Sequence, residues 1–176
     1  MKFKSDIMDE AAMLRALTRI AHEIVERNDE SGDICVIGIM RRGVPLAEII
    51  AEKLRSPGMG VSVGSLDITL HRDDIEAESA PRLNNTDIDF SVTGKTVVMV
   101  DDVLFTGRTA RAGMDALIAL GRPAKIQLAV LIDRGHRELP IRADYVGKNI
   151  PTSRNEIVSV KIAPFDGETS VKLYQK

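Results

Sequence analysis

Two adjacent aspartates stand inside the string Val97-Val98-Met99-Val100-Asp101-Asp102-Val103-Leu104-Phe105-Thr106-Gly107-Arg108-Thr109, the segment richest in potential chemistry. Neighbouring carboxylates repel one another unless hydroxyl groups or a cation sit between them. The Thr-Gly-x-Thr turn that follows lies between a strand and a helix. It aims free backbone N–H groups at a helix N-terminus, where a phosphate is favoured. Gly107 lets the backbone come close, and Thr106 and Thr109 add hydroxyl donors. A vicinal diol beside a phosphate describes a ribose 5-phosphate. Taken singly, Asp101 and Asp102 also suit a turn, and Thr109 a helix cap. The whole string does not reduce to turn chemistry.

The elements that must hold these residues can be read from apolar patterning. Ile34-Cys35-Val36-Ile37-Gly38-Ile39 is nearly unbroken and too short for a helix, as expected of a buried parallel strand. It ends in Met40-Arg41-Arg42-Gly43, with Pro45 at the start of a helix through Leu54. Val61, Val63, Leu66 and Ile68 suggest a second strand. Thr96-Val97-Val98-Met99-Val100 reads as a strand that turns at Asp101-Asp102, before a helix from about Thr109 to Leu120 that Gly121 and Pro123 stop. Residues 126–132 form another buried strand. Residues 8–27 read as an amphipathic helix with Leu14, Leu17, Ala21, Ile24 and Val25 on its apolar stripe. Strand, helix, strand with short connections predicts an α/β fold, an open and mainly parallel sheet with helices on both faces. In such sheets ligands bind beyond the carboxyl ends of the strands, where both Met40–Gly43 and Asp101–Thr109 fall. One decoy is set aside. Gly94-Lys95-Thr96 looks like the end of a P-loop, but position 89 is Asp where that motif needs Gly, and the triplet precedes a strand.

The string from Val97 to Thr109 resembles the phosphoribosyl-pyrophosphate (PRPP) motif of the type I phosphoribosyltransferases. That resemblance implies the type I fold with a small hood and a flexible arm, about 69–93, on a single domain spanning 1–176. It implies that Asp101 and Asp102 bind the ribose hydroxyls and that residues 105–109 cradle the 5-phosphate. Arg41 or Arg42, in the place of the family's pyrophosphate loop, would neutralise the leaving group alongside magnesium carried with PRPP near Asp101 and Asp102. Purine-specific relatives often carry an acid just before the Thr-Gly step. Here that residue is Phe105, which cannot move a proton, and the purine reading weakens.

A second string runs from Asp133-Arg134-Gly135-His136-Arg137 to Ile150-Pro151-Thr152-Ser153. With residues 16–23 and 67–74, it is similar to bacterial regulators of pyrimidine biosynthetic genes that also carry uracil phosphoribosyltransferase activity. The resemblance implies binding of uracil, PRPP, UMP or UTP, with Tyr145 against the uracil ring and the Val146 main chain reading its edge. It also implies binding to pyr operon leader mRNA and a homodimer that can assemble into a hexamer. The RNA-contacting positions would be Thr18, Arg19, His22 and Arg27 in the first helix, and His136, Arg137, Arg142, Lys148 and Thr152 later on. The alternative is a uracil salvage phosphoribosyltransferase with no RNA role.

Composition bounds these readings. The chain has 176 residues, with 24 Lys+Arg against 26 Asp+Glu and a formal net charge of −2. That charge argues against indiscriminate nucleic-acid binding, yet it is partitioned. Residues 134–154 carry five Lys or Arg against two acids, and residues 67–89 carry two Arg against seven acids. A single cysteine, Cys35, excludes a disulfide framework and a multi-thiolate metal site. The residues after Met1 show no signal-peptide apolar region, and no apolar run is long enough to cross a bilayer, so a cytoplasmic protein without a membrane partner is expected.

Overall fold

A strand apolar at every position must be covered on both faces, and residues 34–39 are buried throughout. The computed structural model describes residues 1–28, 32–55, 59–71 and 85–176. The chain runs β1 (Lys2–Asp9), α1 (Glu10–Asn28), β2 (Ile34–Ile39), α2 (Gly43–Leu54) and β3 (Val61–Leu66). A short 3-10 turn at Thr69–His71 precedes β4 (Thr96–Leu104), α3 (Arg108–Leu120), β5 (Lys125–Asp133) and β6 (Tyr145–Asn149). Then come β7 (Glu156–Lys161), α4 (Ala163–Asp166) and β8 (Ser170–Gln175). Most of the expected acidic arm, residues 72–84, lies outside the described residues.

Five strands form one parallel sheet in the order β3-β2-β4-β5-β6. Side chains alternate between its faces. Val36, Val98 and Val100 join α1 and α2 on one side. Ile37, Val97 and Met99 join Ala112, Ala116 and Leu117 of α3 on the other. The expectation of helices on both faces holds. Strand order reverses between β2 and β4, so the loops leaving those strands flank the crevice where an open sheet takes its ligand. A separate antiparallel sheet, β1-β8-β7, forms the hood. No helix among the described residues is long and apolar enough to cross a membrane.

Three expectations are corrected. The first helix begins at Glu10 rather than residue 8, because the Asp9 carboxylate accepts the Ala12 N–H at 2.7 Å and caps it while Met8 and Asp9 belong to β1. Its buried stripe centres on Met13, Leu17, Ile20 and Ile24, leaving Leu14 46% exposed. Finally, β4 does not turn at Asp101-Asp102. Pairing with β5 continues through Asp101↔Val130, Val103↔Ile132 and Leu104↔Asp133, and this ladder overrides the poor strand propensity of aspartate.

Candidate phosphoribosyl site

The end of β4 and the start of α3 hold the aspartate pair and the phosphate loop in fixed relation. The Asp102 N–H donates to Asp101 Oδ1, and the Val103 N–H to Asp102 Oδ1, each at 2.9 Å. Gly107 takes φ 95°, a left-handed conformation that any other residue adopts at a cost, and stands at the N-cap of α3. The loop is covered from outside: Glu138 and Leu139 donate their N–H groups to the Thr106 carbonyl at 2.9 and 3.1 Å. Residues 103–109 line a hollow of about 290 Å³.

Beside it opens a cavity of about 650 Å³ lined by Arg41, Arg42, Asp101, Asp102 and Thr109, with Asp67, Thr69 and Asn85 also in its wall. The Arg41-Arg42 loop reaches this cavity because Gly43 lies flat against β4. A Cβ there would meet the Val100 carbonyl oxygen at 2.4 Å. Burial pushes the Asp102 carboxyl up, against its hydrogen bonds with Asp101 and Val103 and the positive charge of Arg42. Arg42 forks onto Asp166, Nε to Oδ2 at 3.1 Å and Nη2 to Oδ1 at 2.8 Å, which holds the guanidinium charged and the Asp166 carboxyl low. Arg41 lies over the Phe165 ring, 5.8 Å from its centroid. The expected aspartate pair and arginines therefore line one cavity, and the expected phosphate loop lines a hollow beside it that shares Val103 and Thr109. Within residues 97–109, Val97, Val98, Met99 and Val100 serve as buried strand core, and the polar edge begins at Asp101.

Tyr145 is placed differently. Its ring is 2% exposed beneath α1, and its hydroxyl donates to Gln127 Oε1 at 3.0 Å and accepts from Asn28 Nδ2 at 3.1 Å. A ring enclosed in the core has no face for a uracil. The strand alternation that turns Tyr145 inward leaves Val146 partly exposed, with its carbonyl accepting from Arg19 at 3.1 Å.

The residues expected to meet RNA fall into two groups. Arg19 bonds the Val146 and Gly147 carbonyls and so ties α1 to β6, Arg27 pairs with Asp144 just before that strand at 3.2 Å, and Thr18 bonds the Leu14 carbonyl within its own helix. His136 Nε2 meets the Thr152 carbonyl at 2.5 Å. Arg137 is a clamp: it pairs with Asp133 and donates to the Ile141 and Phe105 carbonyls, each at 2.9 Å. His22, Arg142 and Lys148 are exposed. Several residues that line or brace the site carry no assignment from the sequence, namely Asp67, Thr69, Asn85, Asp166 and Arg134. Arg134 lies 4.1 Å over the Phe105 ring and bonds the Ser153 and Glu156 carbonyls. Only Asp67 and Thr69 left a local signal, an aspartate followed two residues later by a threonine, as in an Asx-turn.

This site, at the switch point of a parallel sheet, has the arrangement of a phosphoribosyl-transferring enzyme, and the family model described as phosphoribosyl transferase domain matches residues 4–164. Solved structures agree in fold. A hypoxanthine-guanine phosphoribosyltransferase from Bacillus anthracis aligns with a TM-score of 0.74 over 100% of both chains at 19% identity. The chain is also similar to the Bifunctional protein PyrR of Acetivibrio thermocellus, 60% identical over 97% of this chain and 94% of that protein. It is 58% identical to the Bifunctional protein PyrR of Thermus aquaticus, over 100% of this chain and 98% of that protein. The chain belongs to the phosphoribosyl transferase family and, within it, to the PyrR proteins.

Proposed function

We propose that this chain is a uridine-nucleotide-responsive regulator that binds pyr leader mRNA to attenuate pyrimidine biosynthetic gene expression, and that it also converts uracil and PRPP to UMP and pyrophosphate. The observation that carries the chemistry is that Asp101, Asp102, Arg41 and Arg42 line one cavity, and that Val103 and Thr109 line both it and the adjoining hollow of residues 103–109. In the reaction a bond forms between uracil N1 and ribose C1′ while the bond from C1′ to the pyrophosphate oxygen breaks. The N1 proton passes to solvent, since Phe105 cannot accept it. Asp101 and Asp102 accept hydrogen bonds from the ribose hydroxyls, and their charge favours the oxocarbenium-like centre. The backbone N–H groups of the loop hold the 5-phosphate, and Arg41 and Arg42 meet the diphosphate.

Two carboxylates are too few to cage a magnesium ion but suit one that arrives on substrate oxygens. When bound, that ion neutralises charge on the leaving pyrophosphate. The regulatory half rests on the PyrR relationship and on the exposed cations of α1 and β6. Location in the cytoplasm and assembly of dimers into a hexamer belong to the same reading.

The test is a pair of assays on one protein: UMP synthesis from uracil and PRPP, and a gel shift with the leader RNA of a pyr operon with and without UMP. Arg142→Gln with Lys148→Gln should weaken RNA binding, and lower its salt slope by about 2 if both touch phosphates, while UMP synthesis persists. A protein that makes UMP but ignores the RNA even with UMP present is the salvage enzyme instead.

A further inference from the structure

The cavity has a second wall that the chemistry above does not use. It is built from chain on both sides of residues 72–84, and one carboxylate holds the two sides together. Asp67 Oδ1 accepts the Thr69 N–H at 3.0 Å and the Thr69 hydroxyl at 2.6 Å. Its other oxygen accepts the Asn85 N–H at 3.2 Å and the Asn85 side-chain amide at 3.4 Å. The Asp67 N–H in turn donates to the Thr86 hydroxyl at 3.0 Å. Next to this staple, Ser65 and Asp87 exchange both backbone hydrogen bonds at 2.9 Å. Arg111 of α3 donates to the His71 carbonyl at 3.3 Å from the far side. Burial pushes the Asp67 carboxyl up, and these donors more than offset it, leaving it below the usual carboxylate range.

Position gives the staple its meaning. Asp67, Ile68, Thr69 and Asn85 line the same cavity as Arg41, Arg42, Asp101 and Asp102. An anionic ligand seated between the aspartate pair and the arginines would therefore face this wall as well. Asp67 would repel such a ligand if its charge were bare, but both carboxylate oxygens are occupied by donors from the wall itself. We infer that Asp67 is a positioning residue for PRPP: it fixes Thr69 and Asn85 against the cavity, so that this wall is already set when the diphosphate-bearing substrate arrives. Preorganisation of this kind acts on substrate affinity before it acts on the chemical step.

The inference rests on the phosphoribosyl-transfer reading, and the experiment separates the two. PRPP binding is measured by calorimetry without uracil, and steady-state kinetics are measured alongside, for wild type, Asp67→Asn, Thr69→Val and Thr69→Ser. Loss of one hydrogen bond to a charged group predicts a rise of about tenfold in the PRPP Kd and KM for Asp67→Asn and Thr69→Val. Thr69→Ser should restore both, and the KM for uracil should stay within about twofold of wild type. Thr69→Val leaves the carboxylate in place, so it carries the test if Asp67→Asn does not fold. An unchanged PRPP Kd in a folded variant overturns the inference, as does a lowered melting temperature with PRPP binding intact. A wild-type protein that binds no PRPP overturns the phosphoribosyl-transfer reading itself.

Discussion

At the scale of the residue, the aspartate pair is where affinity for substrate and comfort of the fold conflict. Asp101 and Asp102 are placed side by side at the rim of a cavity, and burial already pushes the Asp102 carboxyl up. In the proposed reaction, ribose hydroxyls would relieve that conflict by donating to both. Asp101→Asn with Asp102→Asn should therefore lower kcat/KM for UMP synthesis by about two orders of magnitude or more, since hydrogen bonds to charged groups contribute about 1.5–3 kcal/mol each. Turnover within tenfold of wild type would remove the pair from the site. The placement of these two residues was legible because the motif is contiguous: one strand end and one helix start suffice to bring Asp101, Asp102 and the Thr106–Thr109 turn together. Asn85 and Asp166 were not legible, and Asp67 was legible only as the start of an Asx-turn with Thr69. They come from separate segments, and only packing brings them to Asp101 and Arg42. Tyr145 shows the converse: an aromatic in a promising string was read as ligand-facing, whereas the two-residue period of β6 turns it into the core.

At the scale of the element, the phosphate loop depends on backbone geometry more than on side-chain identity. Gly107 sits at φ 95°, so Gly107→Ala should cost about 1–2 kcal/mol of stability and reorient the N–H groups proposed to meet the phosphate. Gly94→Ala provides the comparison, because Gly94 has φ 74° with open space around it. Denaturant melts should show similar losses for the two variants, and only Gly107→Ala should lose PRPP affinity. In the hood, Lys161 and Lys172 hold the Glu168 carboxyl down to about 2 from its ordinary 4.5. The unfolded chain then takes up the proton at higher pH than the folded one, so this contribution is present above about 4.5 and is lost as pH falls towards about 2. Glu168→Gln should flatten that part of a stability-against-pH curve, and an unaltered curve would remove Glu168 from the balance. The hood was expected only from family resemblance. Its strand β1 carries register shifts between Phe3 and Ser5 and between Asp6 and Met8, which break the period of two, and its partner β8 lies at the other end of the chain. Most of the central sheet could be read because β2, β4 and β5 are continuous apolar runs; the full length of β4 and the short strand β6 escaped, since pairing with β5 defines both and is not a local property.

At the scale of the whole molecule, Arg137 ties the proposed phosphate loop to the segment expected to touch RNA. Its guanidinium grips the Phe105 carbonyl at the edge of the phosphate loop, and the neighbouring His136 meets Thr152 in the segment expected to touch RNA. If this is the route by which UMP promotes RNA binding, the traffic cannot run one way. Thermodynamic reciprocity requires RNA to tighten UMP by the factor by which UMP tightens RNA. Arg137→Lys keeps the charge but loses the planar fork. UMP affinity measured by calorimetry with and without leader RNA should then become nearly the same, whereas a factor equal to that of wild type would place the route elsewhere. A cell rich in both uridine nucleotide and nascent leader transcript would thus hold the protein in a ternary state, and the transcript itself would shield UMP from release.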